Sequence, residues 1–153
     1  MAAGGELAHG ELVENRLSAV RVVMRTFEVT SSARPEAVWP LLSRPDRWSE
    51  WAPHVRGAWG LGAPEVTAGR AGLVRALGLL PIPARIVEKT SGRSWAWTVG
   101  PVYMRHRVVP APGGCVVGVD LTAPGPLEPA LAAAYGPVIT WTLGRLAARA
   151  SVD

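Results

Sequence analysis

From Val20 to Thr30 the sequence VRVVMRTFEVT is rich in β-branched residues, and from Met24 onward apolar and polar positions alternate with the period of two of a half-buried strand. The pattern then changes period. Ser31, Ser32 and Arg34-Pro35 form a helix start, with Pro35 where a missing N–H costs nothing, and Val38, Trp39, Leu41 and Leu42 follow at helical spacing. Pro40 keeps this helix short. A second short helix is predicted over 46–51, with Asp46 as its cap, Glu50 near its first turn and Pro53 ending it. From His54 to Thr122, Gly and Pro breakers recur at short intervals, separating about six runs rich in Val, Ile, Trp and Tyr. Such runs read as successive antiparallel strands. The clearest places Cys115, Val117, Val119 and Leu121 on one face and Gly118, Asp120 and Thr122 on the other. After Pro126 the chain turns Leu- and Ala-rich through Ala150, which predicts a long helix with Leu127, Leu131, Ala134, Tyr135, Val138, Thr142 and Leu146 as its core stripe. Gly136-Pro137 predicts a kink or break in it. Residues 1–19 carry only a weak stripe of Leu7, Leu12, Val13 and Leu17. They are read as an N-terminal extension ahead of one domain over 20–153.

Composition narrows the class. With 153 residues, 48% hydrophobic and 18% charged, the chain can bury a core and is one domain long. The 17 glycines and 14 prolines fit a turn-rich β-containing fold. Seven tryptophans stand against a single phenylalanine. No apolar run reaches the ~18 residues of a membrane span, and the first residues are acidic rather than basic, so a cytoplasmic location is expected. The net charge of +4 comes from fifteen arginines and one lysine, spread from Arg16 to Arg149 without a run. Nucleic-acid binding needs a clustered basic patch, so no nucleic-acid partner is predicted. Cys115 is the single cysteine, so no internal disulfide forms, and His9, His54, His106 and Cys115 are too scattered for a local metal motif. No metal and no cofactor are predicted. Gly60-Leu61-Gly62 lacks the third glycine of a dinucleotide fingerprint, and Gly69-Arg70-Ala71-Gly72 lacks the flanking helices of an RNA-binding loop.

The order of elements is that of an α+β helix-grip fold. The stretch ARPEAVWPLL (33–42) followed by PDRWSEW (45–51) resembles the opening of the polyketide cyclase/dehydrase and lipid-transport family of the START-like SRPBCC superfamily. Arg85-Ile86-Val87-Glu88, Gly92 to Trp97 and Gly113 to Val117 are similar to that family's later strands. The resemblance implies a curved antiparallel sheet of about seven strands wrapped around the C-terminal helix, with two short helices after the first strand. It also implies a deep cavity for an apolar or aromatic small molecule. Family members include binders, carriers and cyclases, so the fold does not choose among them.

Candidate site residues follow from which positions face that cavity. With Val117 and Val119 inward, the adjacent strand turns Met104, His106 and Val108 inward and leaves Arg105 and Arg107 outside. His106 suits a hydrogen bond to a phenol or carbonyl ligand, or is a structural histidine bonded to backbone. Tyr135 lies on the helix stripe beside Gly136-Pro137, with its hydroxyl toward a ligand or its ring in the core. Trp95 and Trp97 share one face of a strand and serve equally as pocket wall or core. Val138 and Thr142 complete the helix side of the lining. Trp39 is assigned to the core, Trp48 and Trp51 frame the mouth or pin the second helix, and His54 is placed at the rim. Arg70, Arg85 and Asp120 fall in predicted strands, where charges mostly face water; an inward Arg70 or Arg85 would hold a carboxylate or enolate. The leading function is binding of a lipid, isoprenoid or polyketide-like molecule in an internal cavity. The alternatives are a polyketide cyclase, aromatase or dehydratase with His106 and Tyr135 as general acid/base, and a protein-interaction module using exposed arginines and the extension. The oligomeric state is left open. Removing residues 1–18 is expected to leave the melting temperature nearly unchanged, because chain ends without packing carry little stability. A drop of more than several degrees in a thermal melt would show that the extension docks on the domain.

Overall fold

The computed structural model describes residues 24–76 and 81–152. Strand β1 (Met24–Ser31) leads into helix α1 (Pro35–Ser43) and a 3₁₀ helix (Pro45–Glu50). Six strands follow: β2 (Val55–Trp59), β3 (Ala71–Ala76), β4 (Ile82–Thr90), β5 (Ser94–Val99), β6 (Val102–Ala111) and β7 (Gly114–Thr122). Helix α2 (Leu127–Ala150) is the last element of the described residues. The strands form one curved antiparallel sheet in the order β1-β7-β6-β5-β4-β3-β2, so β1 and β2 are its two edges. Register shifts between Val55 and Gly57 and between Ile86 and Glu88 add local bend. Helix α2 packs along β1, β7 and α1. This is the α+β helix-grip arrangement expected from the sequence. The extension over 1–19 and the start of the strand predicted from Val20 lie outside the described residues.

The C-terminus of α1 is where the tryptophans act. A helix leaves its last four carbonyls without intrahelical partners. Here Pro40 O accepts from the Arg44 N–H and Ser43 O from the Val66 N–H. The two between them are capped by indoles. Trp51 Nε1 donates to Leu41 O at 2.8 Å, while Trp48 Nε1 and Trp95 Nε1 both donate to Leu42 O, at 2.9 and 3.0 Å. The Trp39 ring is buried as expected, and its Nε1 donates to Glu65, which also pairs with Lys89.

Alternation in β7 puts Cys115, Val117, Val119 and Leu121 in the core, each at most 2% exposed. Asp120 on the opposite face, expected to be solvated, is also buried. Arg107 of β6 explains this: it grips the Asp120 carboxylate through Nε at 3.0 Å and Nη2 at 3.2 Å, and Nη2 reaches Glu28 of β1 at 2.7 Å. The guanidinium lies across Gly118, where a Cβ would come within 2.7 Å of it, so a side chain there would have to push Arg107 off its place. Burial alone would raise the Asp120 pKa, but hydrogen bonds from Arg107 and Thr26 win and hold it below its ordinary value.

Three predicted details are corrected. The second short helix is 3₁₀ and begins at Pro45; Asp46 pairs with Arg44 rather than capping the helix. Helix α2 runs unbroken through Gly136 and Pro137. Gly136 is there for space: the Phe27 ring of β1 lies 2.8 Å from where its Cβ would stand. The buried stripe of α2 includes Ile139 and Leu143, whereas Val138 is half-buried and Leu127 and Ala134 are exposed. In a helix this poor in polar residues, adjacent stripes look alike. The Trp51→Phe substitution is expected to cost about 1–3 kcal/mol in urea unfolding, because it leaves Leu41 O buried without a donor. A loss under about 0.5 kcal/mol would show that this carbonyl has another partner.

Candidate functional site

Trp95 and Trp97 of β5 stand on one face, and the register sets Trp95 opposite His106 and Trp97 opposite Met104 on β6. His106 in turn sits opposite Val119 of β7. Trp48 in the 3₁₀ helix and Trp51 at its C-cap are three residues apart and both line the cavity. Trp48 stacks on Trp95 with ring centroids 5.3 Å apart and planes at 13°, and Trp95 also stacks on His106 at 4.0 Å and 10°. Trp97 meets all three rings edge-on. Tyr135, Ile139, Thr142 and Leu143 of α2 form the opposite wall, and Ala52, His54 and Val55 complete the lining of a partly open cavity of about 60 Å³.

Polar chemistry in this cavity is uncharged. No Asp, Glu, Lys or Arg is among its lining residues. Tyr135 Oη and His54 Nε2 share a hydrogen bond of 2.6 Å, its direction set by the imidazole tautomer. Burial pushes the Tyr135 pKa up to about 12 and lowers that of His54. For His106, burial lowers the pKa to about 3, against weaker opposing pulls from the Trp95 backbone and the Asp120 charge. All three are neutral at pH 7. The buried atoms His54 Nδ1, His106 Nδ1 and Trp97 Nε1 have no hydrogen-bond partner.

Of the sequence-predicted site residues, the structure brings His106, Tyr135, Trp95, Trp97, Met104, Val119 and Thr142 to the cavity wall. The Thr142 hydroxyl is occupied, donating to Ile139 O at 2.9 Å. Val117 is fully buried in the core beyond the lining, and Val138 is one step off the inward stripe of α2. Arg70 and Arg85 are placed elsewhere. Arg70 lies in the turn before β3, and Arg85 is exposed on β4 between the buried Ala84 and Ile86, whose side chains take the inward face. Sequence reading missed His54 as a lining residue, as well as Ala52, Val55, Ile139 and Leu143. Trp48 and Trp51 line the cavity and also pin the 3₁₀ helix to α1. A wider open groove of about 730 Å³ runs beside β2 past Arg44, Asp46, Arg56 and Trp59. Among the described residues no group of three or more His, Cys, Asp or Glu is placed to hold a metal, and no helix is long and apolar enough to cross a membrane.

The sequence matches the family described as polyketide cyclase / dehydrase and lipid transport over residues 23–151, and the chain belongs to that family. Solved structures share the fold at low identity. A protein from Thermobifida fusca has a TM-score of 0.69 at 20% identity, covering 84% of this chain and 93% of its own. The KanY protein has 0.68 at 15%, covering 86% and 99%, and SSP2350 from Staphylococcus saprophyticus has 0.66 at 11%, covering 82% and 89%. Among curated proteins none matches.

Stability should depend on pH through the buried imidazoles. In the unfolded chain His106 titrates near 6.5, and in the fold near 3, so between these values the unfolded chain binds a proton that the folded chain does not. Stability is therefore complete above about pH 6.5 and falls as pH drops toward 3, by about 5 kcal/mol for this one group at ~1.36 kcal/mol per unit. His54 adds to the loss in the same direction. Asp120 and Glu50, held below their ordinary values of 3.8 and 4.5, contribute only at the acid end. Urea titrations at pH 6.5 and 4.5 should show the loss, and the His106→Phe variant should show a smaller one. An unchanged slope in the variant would exclude His106 as its source.

Proposed function

We propose that this chain, with residues 20–153 as a single binding domain, holds a hydrophobic or aromatic small molecule in the cavity between the sheet and α2. Family membership and the helix-grip fold support binding of a hydrophobic ligand as the general role. The observation that carries the reading is the lining itself: four indoles, aliphatic side chains and no charged group. Rings dominate the wall, which favours a flat ligand over an acyl chain. At about 60 Å³ the cavity is well under the ~150 Å³ that admits benzene in an engineered apolar cavity, so binding requires the walls to part.

A second reading, proton transfer on a bound carbonyl compound, is favoured by the 2.6 Å contact between Tyr135 and His54. A phenol hydrogen-bonded to an imidazole can donate to a developing oxyanion. The pair differs from the one expected from sequence, since His54 and not His106 partners Tyr135. No arginine joins it at the cavity wall. An uncharged site without an electrophilic clamp supports binding more directly than chemistry, and binding is the conclusion.

Native mass spectrometry of the protein purified from its host is expected to show a retained small molecule at near-stoichiometric level. Adding that compound at a hundredfold its Kd should raise stability by about 2.7 kcal/mol. A protein that is consistently empty, and that no compound of a hydrophobic library stabilises, would overturn the reading. Conversion of the retained compound during incubation would establish the enzymatic reading instead.

A further inference from the structure

Five tryptophans are buried, and four of them find an acceptor for the indole N–H: Glu65 for Trp39, Leu42 O for Trp48 and Trp95, and Leu41 O for Trp51. Trp97 does not. Its ring is 9% exposed, and its Nε1 is sealed without a partner. Edge-on to it, with centroids 5.8 Å apart, is His106, 6% exposed and with Nδ1 also unpartnered. Buried polar atoms are normally satisfied within the protein, so two adjacent exceptions on one cavity wall point to an occupant that satisfies them. An indole N–H can only donate, whereas a neutral imidazole nitrogen donates or accepts according to tautomer. A hydroxyl oxygen accepts from the first and donates to the second; a carbonyl oxygen accepts from both.

The sign of the occupant's charge is also constrained. Arg107 and Asp120, which belong to the same two strands as His106 and Val119, lie on the other face of the sheet and are committed to each other. A carboxylate placed in the cavity would be desolvated without a counter-charge. The parallel rings of Trp48, Trp95 and His106 suit a flat ligand, and a cavity this small, which must widen even for benzene, favours one ring over several.

Resting on the binding role above, we propose that the ligand is a neutral, single-ring aromatic molecule whose hydroxyl or carbonyl oxygen is held by Trp97 Nε1 and His106 Nδ1. The site thus discriminates by one oxygen and by charge. Aliphatic and carboxylated molecules of the same size are selected against.

Three probes of nearly equal size test this by calorimetric titration at pH 7: p-cresol, toluene and p-toluate. p-Cresol is expected to bind roughly tenfold more tightly than toluene, and p-toluate at least tenfold more weakly than p-cresol. In Trp97→Phe the preference for p-cresol should fall to about twofold or less while toluene affinity is kept, and His106→Phe, which retains a ring to stack on Trp95, should reduce it as well. Equal binding of toluene and p-cresol would overturn the inference and leave the binding role intact, as would p-toluate binding as tightly as p-cresol. A preference that survives both substitutions would also overturn it. If none of the three binds, the cavity is not a ligand site for single rings, and the inference falls; the binding role then stands or falls on the retained molecule in the native mass spectrum.

Discussion

The end of α1 is the constraint on which the site depends. A helix buried at its C-terminus must find donors for its last carbonyls, and here the donors for two of them come from three indoles on two other elements. Because tryptophan joins a large apolar ring to a single N–H, each residue meets two needs at once: its tip caps the helix and its ring walls the cavity. Trp48 and Trp95 converge on the same Leu42 carbonyl, which brings their rings into the parallel stack that His106 extends. The geometry of the aromatic wall is thus set from outside the cavity, by a helix end that lines none of it.

The sheet separates chemistry by face. Along β6, Met104, His106 and Val108 alternate with Arg105 and Arg107, and along β7 Val117, Val119 and Leu121 alternate with Gly118 and Asp120. The concave set builds a neutral cavity, and the convex set builds a charge network that ties β6 and β7 to edge strand β1 through Glu28 and Thr26. Only a few ångströms of backbone lie between them. The imidazole on one side stays uncharged because it is buried, even though the Asp120 charge on the other side pulls toward its protonation.

Much of the fold was legible in the sequence because its signals are local. Gly and Pro clusters mark the strand ends, the Arg34-Pro35 start marks α1, and the alternation through β7 names its inward face. The concave part of the site was legible for the same reason, since two-residue periodicity fixes Trp95, Trp97, Met104, His106 and Val119 on one side once one strand is oriented. What failed was set by distant partners. The rotation of α2 depends on what it packs against, such as the Phe27 ring that lies over Gly136, and helical periodicity contains no such contact; Ile139 takes the place expected of Val138. His54 gains its role only because α2 brings Tyr135 to it across 81 positions of sequence. Arg70 and Arg85 were candidates by residue type, but type does not say which way a strand faces.

The strand order has a consequence for how the chain becomes a protein. Neighbouring hairpins from β2 through β7 can pair as they leave the ribosome, since each needs only its successor. Strand β1 cannot. Its partner is β7, with Thr26 bonded to Asp120 across 94 residues and Arg25 to Glu128 across 103. Closing so long a loop carries an entropic cost that is recovered only after β7 and α2 exist, which raises the contact order and slows folding. Among these elements the first to be made therefore waits for β7 and α2, and the cavity, whose far wall is α2, closes only once that helix has joined the sheet rather than growing strand by strand.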